Sequence, residues 1–133
     1  MDQADAIRDF LRGQVYAVAG ASRDRAKYGN RCLRSLVEAG REVFAVHPTE
    51  QEVEGRPAFP DLPSVPTALH GVSIVTPPPV TEQVVEDAAA AGVSRLWMQP
   101  GAESPAAVRR ARELGLSVVA GGPCLLVALG WRG

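Results

Sequence analysis

The sequence is poor in the residues that metal and redox chemistry demand. Its 133 residues include only two cysteines and two histidines. Cys32 and Cys124 stand far apart, with no Cys-x-x-Cys or Cys/His ligand spacing, so no metal site or redox pair is expected and buried thiols are the default. Cys124 follows Gly121, Gly122 and Pro123 in a predicted loop, which leaves an exposed, reactive thiol open. The formal net charge of -1 supplies no field able to hold nucleic acid or an anionic membrane. Neither partner is expected, and any anion site must be local. No apolar run approaches the ~18 residues of a membrane span. Residues 1–5 lack the basic and apolar regions of a signal peptide, so a cytoplasmic protein is expected. The length is that of one domain, 1–133, too short to hold a separate catalytic domain.

What is present is a compact α/β pattern. Hydrophobic residues make up 46% of the chain and aromatics only 5%, so the core relies on small side chains suited to tight packing of helices on a sheet. Residues 4–11 show helical spacing of Ala6, Ile7, Phe10 and Leu11, closed by Gly13. Residues 15–19 form a nearly continuous apolar run ending at Gly20, the mark of a strand buried on both faces. A helix is predicted over about 30–39, with Cys32, Leu33, Leu36 and Val37 inward and Gly40 as its stop. Further strands are predicted at 42–46, 71–75, 95–98 and 117–120. The helices expected between and after them run from a Thr81 cap to about 91, from a Ser104-Pro105 start to Gly115, and over 125–129. Between His47-Pro48 and Gly71, the residues Gly55, Pro57, Pro60, Pro63 and Pro66 predict an irregular crossover with at most a brief helical turn at 62–65. Alternating strands and helices imply a single Rossmann-like domain, with a parallel sheet of five strands, or six, and helices on both faces.

Ligands of such sheets bind at the carboxyl ends of the strands, beside the first strand. There Gly20-Ala21-Ser22 is followed by Arg23, Asp24, Arg25, Ala26, Lys27, Tyr28 and Gly29. Glycine and alanine admit a diphosphate close to the backbone, amides and a helix dipole favour its charge, and Ser22 offers a further hydrogen bond. The dinucleotide fingerprint GxGxxG fails, because it would need glycines where Ser22 and Arg25 stand. The acidic residue that NAD enzymes carry after the second strand is also missing, since the chain reads His47-Pro48 there. With Arg23, Arg25, Lys27 and Arg31 nearby, a nucleotide with an extra phosphate, coenzyme A or NADP, matches better than NAD. Spacing alone leaves equally open that these cations are a solvated loop.

Taken together, the segment 15–22, Lys27-Tyr28-Gly29, Val46-His47-Pro48 and Trp97-Met98-Gln99-Pro100-Gly101 resemble the small stand-alone CoA-binding proteins, which are similar to the CoA-binding domain of the succinyl-CoA synthetase alpha subunit. The resemblance spans about 15–124. It implies non-catalytic binding of coenzyme A or an acyl-CoA, with Gly20, Ala21 and Ser22 at the diphosphate and Arg23, Arg25 and Lys27 near phosphate oxygens. It further implies that His47, Pro48, Thr76, Pro77 and Pro78 border the adenosine, and that Gln99, Pro100 and Gly101 line the pantetheine path. Two departures stand out: His47-Pro48 replaces the family's Asn-Pro, and Gly122-Pro123-Cys124 its Asp-Arg-Cys. No catalytic residue is assigned, because neither His47 nor His70 has an evident nucleophile and orienting acid. The alternatives are a small NADP-dependent oxidoreductase and a partner-docking subunit that has lost the ligand. The sequence identifies no protein partner.

Overall fold

The computed structural model describes residues 2–133. The seven-stranded sheet is formed by β1 (Val15–Ala19), β2 (Glu42–Val46), β3 (Glu52–Val53), β4 (Arg56–Phe59), β5 (Gly71–Ile74), β6 (Arg95–Met98) and β7 (Ser117–Val119), in the order β3-β4-β2-β1-β5-β6-β7. Every pairing is parallel except β3 with β4. Five helices, α1 (Gln3–Leu11), α2 (Tyr28–Glu38), α3 (Pro78–Ala90), α4 (Pro105–Glu113) and α5 (Leu125–Leu129), cover it.

The alternation of side chains along β1 builds two cores at once. Ala17 and Ala19 face α3 and α4 with Val84, Val85, Ala88, Ala107 and Ala111, whereas Tyr16 and Val18 face α1, α2 and α5 with Phe10, Leu33, Leu36 and Leu125. β6 repeats the pattern. Leu96 and Met98 enter the first core, and the wholly buried Trp97 enters the second, edge-on to Phe10 at 5.3 Å and donating from Nε1 to the Pro123 carbonyl. Small alanines on α3 and α4 let those helices lie close to the sheet, as the composition suggested.

Three local differences from the sequence reading have physical causes. The crossover expected to be irregular contains β3 and β4, which raises the strand count to seven with one antiparallel edge. Glu54 (φ 50°) and Gly55 (φ 76°) both adopt left-handed backbone, the requirement of a two-residue type I′ hairpin turn. Pro57 is tolerated because β4 is short and lies near the sheet edge, while Ala58 and Phe59 pair with Ala45 and Val46 of β2. A single 3-10 turn does form at Leu62–Ser64, held by Asp61. The third helix begins at Pro78, before Thr81: prolines in its first turn lack the N–H groups that a Thr cap would serve. Thr81 is instead buried, with its hydroxyl 2.7 Å from that of Thr76. The second helix likewise starts two residues earlier than expected, at Tyr28.

Candidate functional site

The sheet order reverses direction at β1. The chain moves to β2 on one side and later returns to β5 on the other, so the carboxyl ends of β1 and β5 form the switch point where α/β sheets place ligands. Gly20 sits there with φ +90°, its amide donating to the Val46 carbonyl of β2 at 3.3 Å. A Cβ at Gly20 would stand 3.0 Å from the Val75 carbonyl carbon and 3.1 Å from Thr76 Cγ2, so a side chain would be both strained and crowded. Gly29 closes the other side. A Cβ there would lie 2.1 Å from the Gly20 carbonyl oxygen, a separation real atoms do not reach, and only glycine lets the first turn of α2 rest on the strand end. Gly20 and Gly29 thus fill two of the three roles of a nucleotide-binding glycine motif, the tight turn and the close helix-to-strand contact, at a wider spacing than GxGxxG.

The turn between them encloses a cleft of about 440 Å³ lined by Gly20, Ala21, Ser22, Lys27, Tyr28, Gly29, His47, Val75, Thr76 and Pro77. Among the described residues, the amides of Ala21 and Ser22 donate to no protein group. Lys27 is the N-cap position of α2, and no side chain caps that helix. The first amides of α2 and the positive end of its dipole therefore remain available to an anion. Lys27 has no ion-pair partner among the described residues. The loop itself is braced: Ser22 Oγ accepts from the Asp24 amide at 3.0 Å, Asp24 Oδ1 from the Ala26 amide at 3.0 Å, and the Asp24 carbonyl from the Lys27 amide. Asn30, fully buried on α2, donates from Nδ2 to the Ser22 carbonyl at 2.8 Å and to Glu54 Oε2 at 3.1 Å, and accepts from Arg34 Nε at 2.7 Å. That network fixes the turn from behind while its open side stays free.

Of the residues singled out in the sequence, Gly20, Ala21, Ser22, Lys27, His47, Thr76 and Pro77 line this one cleft. Pro48 and Pro78 flank it without lining it. Arg23 and Arg25 point to Glu50 and Glu54, at 3.6 and 3.5 Å. His47 spends Nδ1 on its own turn, accepting from the amides of Thr49 and Glu50. Gln99 is fully buried: its Oε1 accepts from the Leu125 amide at 2.9 Å and its Nε2 donates to Ser73 Oγ at 3.1 Å. Gly101 is exposed in the following turn, its amide donating to Glu103. Tyr28, Gly29, Asn30 and Val75 are the residues that sequence reasoning passed over as site residues. The Lys27-Tyr28-Gly29 step contained the signal for two of them.

Tyr28 separates the cleft from a second cavity of about 460 Å³ lined by Arg31, Cys124, Leu126, Val127 and Trp131. Burial raises the Tyr28 hydroxyl far above the ordinary phenol value, and it contacts both thiols. Burial also pushes Cys32 up to about 12. Cys124 behaves in the opposite way. Burial acts to raise its thiol, but the Tyr28 hydroxyl and the amides of Val127 and Leu126 outweigh that and bring it below the ordinary value. Among the described residues no cluster of three or more His, Cys, Asp or Glu side chains is arranged to hold a metal, and no helix is long and apolar enough to cross a membrane.

Fold and site together define a Rossmann-type domain with an open, glycine-lined turn at its switch point. Residues 14–130 match the family described as CoA binding domain, and the chain belongs to that family. Over 74 residues it is 32% identical to acetate–CoA ligase [ADP-forming] I of Archaeoglobus fulgidus, a match that covers 56% of this chain and 11% of that protein. The chain thus spans about a tenth of the length of that relative. It superposes on a conserved hypothetical protein from Pyrococcus furiosus with TM-score 0.82 and 36% identity, covering 87% of this chain and 99% of that one. It also superposes on the dinucleotide forming acetyl-coenzyme A synthetase 1 of Ca. Korarchaeum cryptofilum with TM-score 0.75 and 29% identity, covering 88% of this chain and 27% of that one.

Proposed function

We propose that this protein binds coenzyme A or an acyl-CoA without transforming it, holding the diphosphate on the backbone of Gly20, Ala21 and Ser22. The observation that carries this reading is the open turn: glycine where side chains cannot fit, unengaged amides at Ala21 and Ser22, and an uncapped α2 beneath them. Membership of the CoA-binding domain family supports coenzyme A as the nucleotide. Lys27, unpaired at the mouth of the cleft, supplies the cation nearest the diphosphate, and His47, Thr76 and Pro77 supply the wall against the adenosine. In this reading Gln99 acts from behind, tying β6 to the start of α5 beside Tyr28, and the pantetheine arm runs over Tyr28.

Calorimetric titration with coenzyme A, dephospho-CoA, NADP and NAD tests the proposal. Coenzyme A is expected to bind tightest and to raise Tm, because a ligand of the folded state alone stabilises it. Gly20→Val is expected to abolish the response, since the substituent would press on the Val75 carbonyl and Thr76 in the wall of the cleft and would force an unfavourable φ. Tighter binding of NAD than of coenzyme A, or normal binding by a folded Gly20→Val, would overturn the assignment.

A further inference from the structure

The two arginines of the phosphate loop are held by carboxylates from one neighbouring segment. Arg23 Nη1 lies 3.6 Å from Glu50 Oε2 and Arg25 Nε lies 3.5 Å from Glu54 Oε2. Glu50 follows the turn after β2, its amide bound by His47 Nδ1 in the wall of the cleft, and Glu54 opens the β3–β4 hairpin turn. In nucleotide-binding sheets of this kind the end of the second strand faces the ribose. A carboxylate there receives free ribose hydroxyls, and an arginine receives a phosphate carried on the ribose. This chain brings Arg23 and Glu50 to that edge and Arg25 and Glu54 to the β3–β4 hairpin turn next along the loop, and pairs each arginine with a glutamate.

The pairs are built to exchange. The arginine side chains are 72% and 66% exposed, and such long, solvated ion pairs hold weakly. A phosphomonoester carries more charge than one carboxylate and accepts both prongs of a guanidinium. Glu54 also has a second partner, since Asn30 Nδ2 remains on its Oε2 when Arg25 leaves, so release of the arginine strands no buried charge.

Resting on the diphosphate site proposed above, we infer that Arg23–Glu50 and Arg25–Glu54 form a selector for a phosphorylated ribose. A nucleotide with a phosphate on its adenosine ribose draws the arginines off the glutamates. A nucleotide with bare ribose hydroxyls leaves the pairs closed and binds through the turn and Lys27 alone. The glutamates keep the loop from acting as a general anion trap, because each cancels one of its arginines.

The test is calorimetric titration of coenzyme A and dephospho-CoA, which differ only in that phosphate, into the wild type, Arg23→Ala, Arg25→Ala and Glu50→Gln. The wild type is expected to favour coenzyme A by about tenfold or more. Arg23→Ala and Arg25→Ala should each erode that preference and leave dephospho-CoA affinity within about twofold, since exposed side chains are being removed. Glu50→Gln should tighten coenzyme A by roughly two- to fivefold, the release of one exposed pair, with little change for dephospho-CoA. A wild-type ratio near one, or variants that shift both ligands equally, would overturn the selector and leave the diphosphate site standing. A wild type that binds neither ligand would overturn the site and the selector together.

Discussion

Replacing Gly29 with alanine separates two physical effects of opposite sign. Gly29 lies in the first turn of α2 with ordinary helical backbone, so alanine imposes no dihedral strain there. Helix propensity alone favours the alanine by about 1 kcal/mol. The added methyl, however, would stand 2.1 Å from the Gly20 carbonyl oxygen, 3.0 Å from the Gly20 carbonyl carbon and 3.2 Å from the Ala21 Cα. All three are backbone atoms that no rotamer change can remove. Relief requires the start of α2 to move away from the end of β1 by roughly 1 Å, against a packed interface, and such overpacking costs about 1–3 kcal/mol. Less the propensity gain, the net loss is up to about 2 kcal/mol, a fall in Tm of up to roughly 8 °C for a domain of this size. Coenzyme A affinity should fall at least about tenfold, because the displaced atoms are those proposed to hold the diphosphate. Differential scanning calorimetry and isothermal titration of one preparation read both numbers. A Tm that rises by the propensity increment, with coenzyme A affinity unchanged, would refute the claim that Gly29 exists to bring helix and turn together.

Three further outcomes follow from other parts of the molecule. Iodoacetamide at pH 8 should modify Cys124 and spare Cys32 until the protein unfolds, because Cys32 is buried with its thiol near 12 while Cys124 is partly exposed and lowered. Peptide mapping reads the order, and earlier labelling of Cys32 would contradict it. Asp9 joins α1 to β6, with Arg12 and then Arg95 holding its carboxyl below the ordinary carboxylate range. A depressed folded value gives stability that is full above about pH 4 and is lost as pH falls through the folded value. Asp9→Asn should therefore lower Tm at pH 7, and the gap should close in acid; a gap independent of pH would contradict the assignment. Gln99→Leu should cost about 1–3 kcal/mol by stranding the buried Leu125 amide, measured by urea denaturation, and a neutral substitution would show that Gln99 is dispensable to the fold.

The architecture was readable wherever one segment carries its own signal. The apolar run of β1 ending at Gly20, the Ser104-Pro105 start of α4 and the glycines closing α2, α3 and α4 all encode their roles locally. The hairpin of β3 and β4 escaped because strands of two and four residues are too short to show a period, and Pro57 reads as a breaker unless its place in a short strand near the sheet edge is known. In the site, the turn at Gly20 to Ser22 could be found from sequence because a strand that stops at glycine beside a helix start is a local feature. The need for glycine at Gly29 could not, since it arises only where α2 meets the Gly20 carbonyl. The charge of Arg23 and Arg25 looked free for the same reason: Glu50 and Glu54 are distant in sequence and reach the loop only through the fold. Gln99 sits at a strand end, the usual address of a functional side chain, yet points inward because the α5 amides need an acceptor.

In the proposed mode of binding, the backbone just past β1 receives the linked phosphates of coenzyme A. Amide chemical shifts followed by two-dimensional NMR during titration with coenzyme A test it directly. The largest shifts are expected at Ala21, Ser22, Lys27, Tyr28 and Gly29, with smaller ones near His47 and Thr76. Shifts confined instead to a separate cavity of about 800 Å³ beside α4, lined by Glu103, Val108 and Arg112 among others, would contradict that mode of binding.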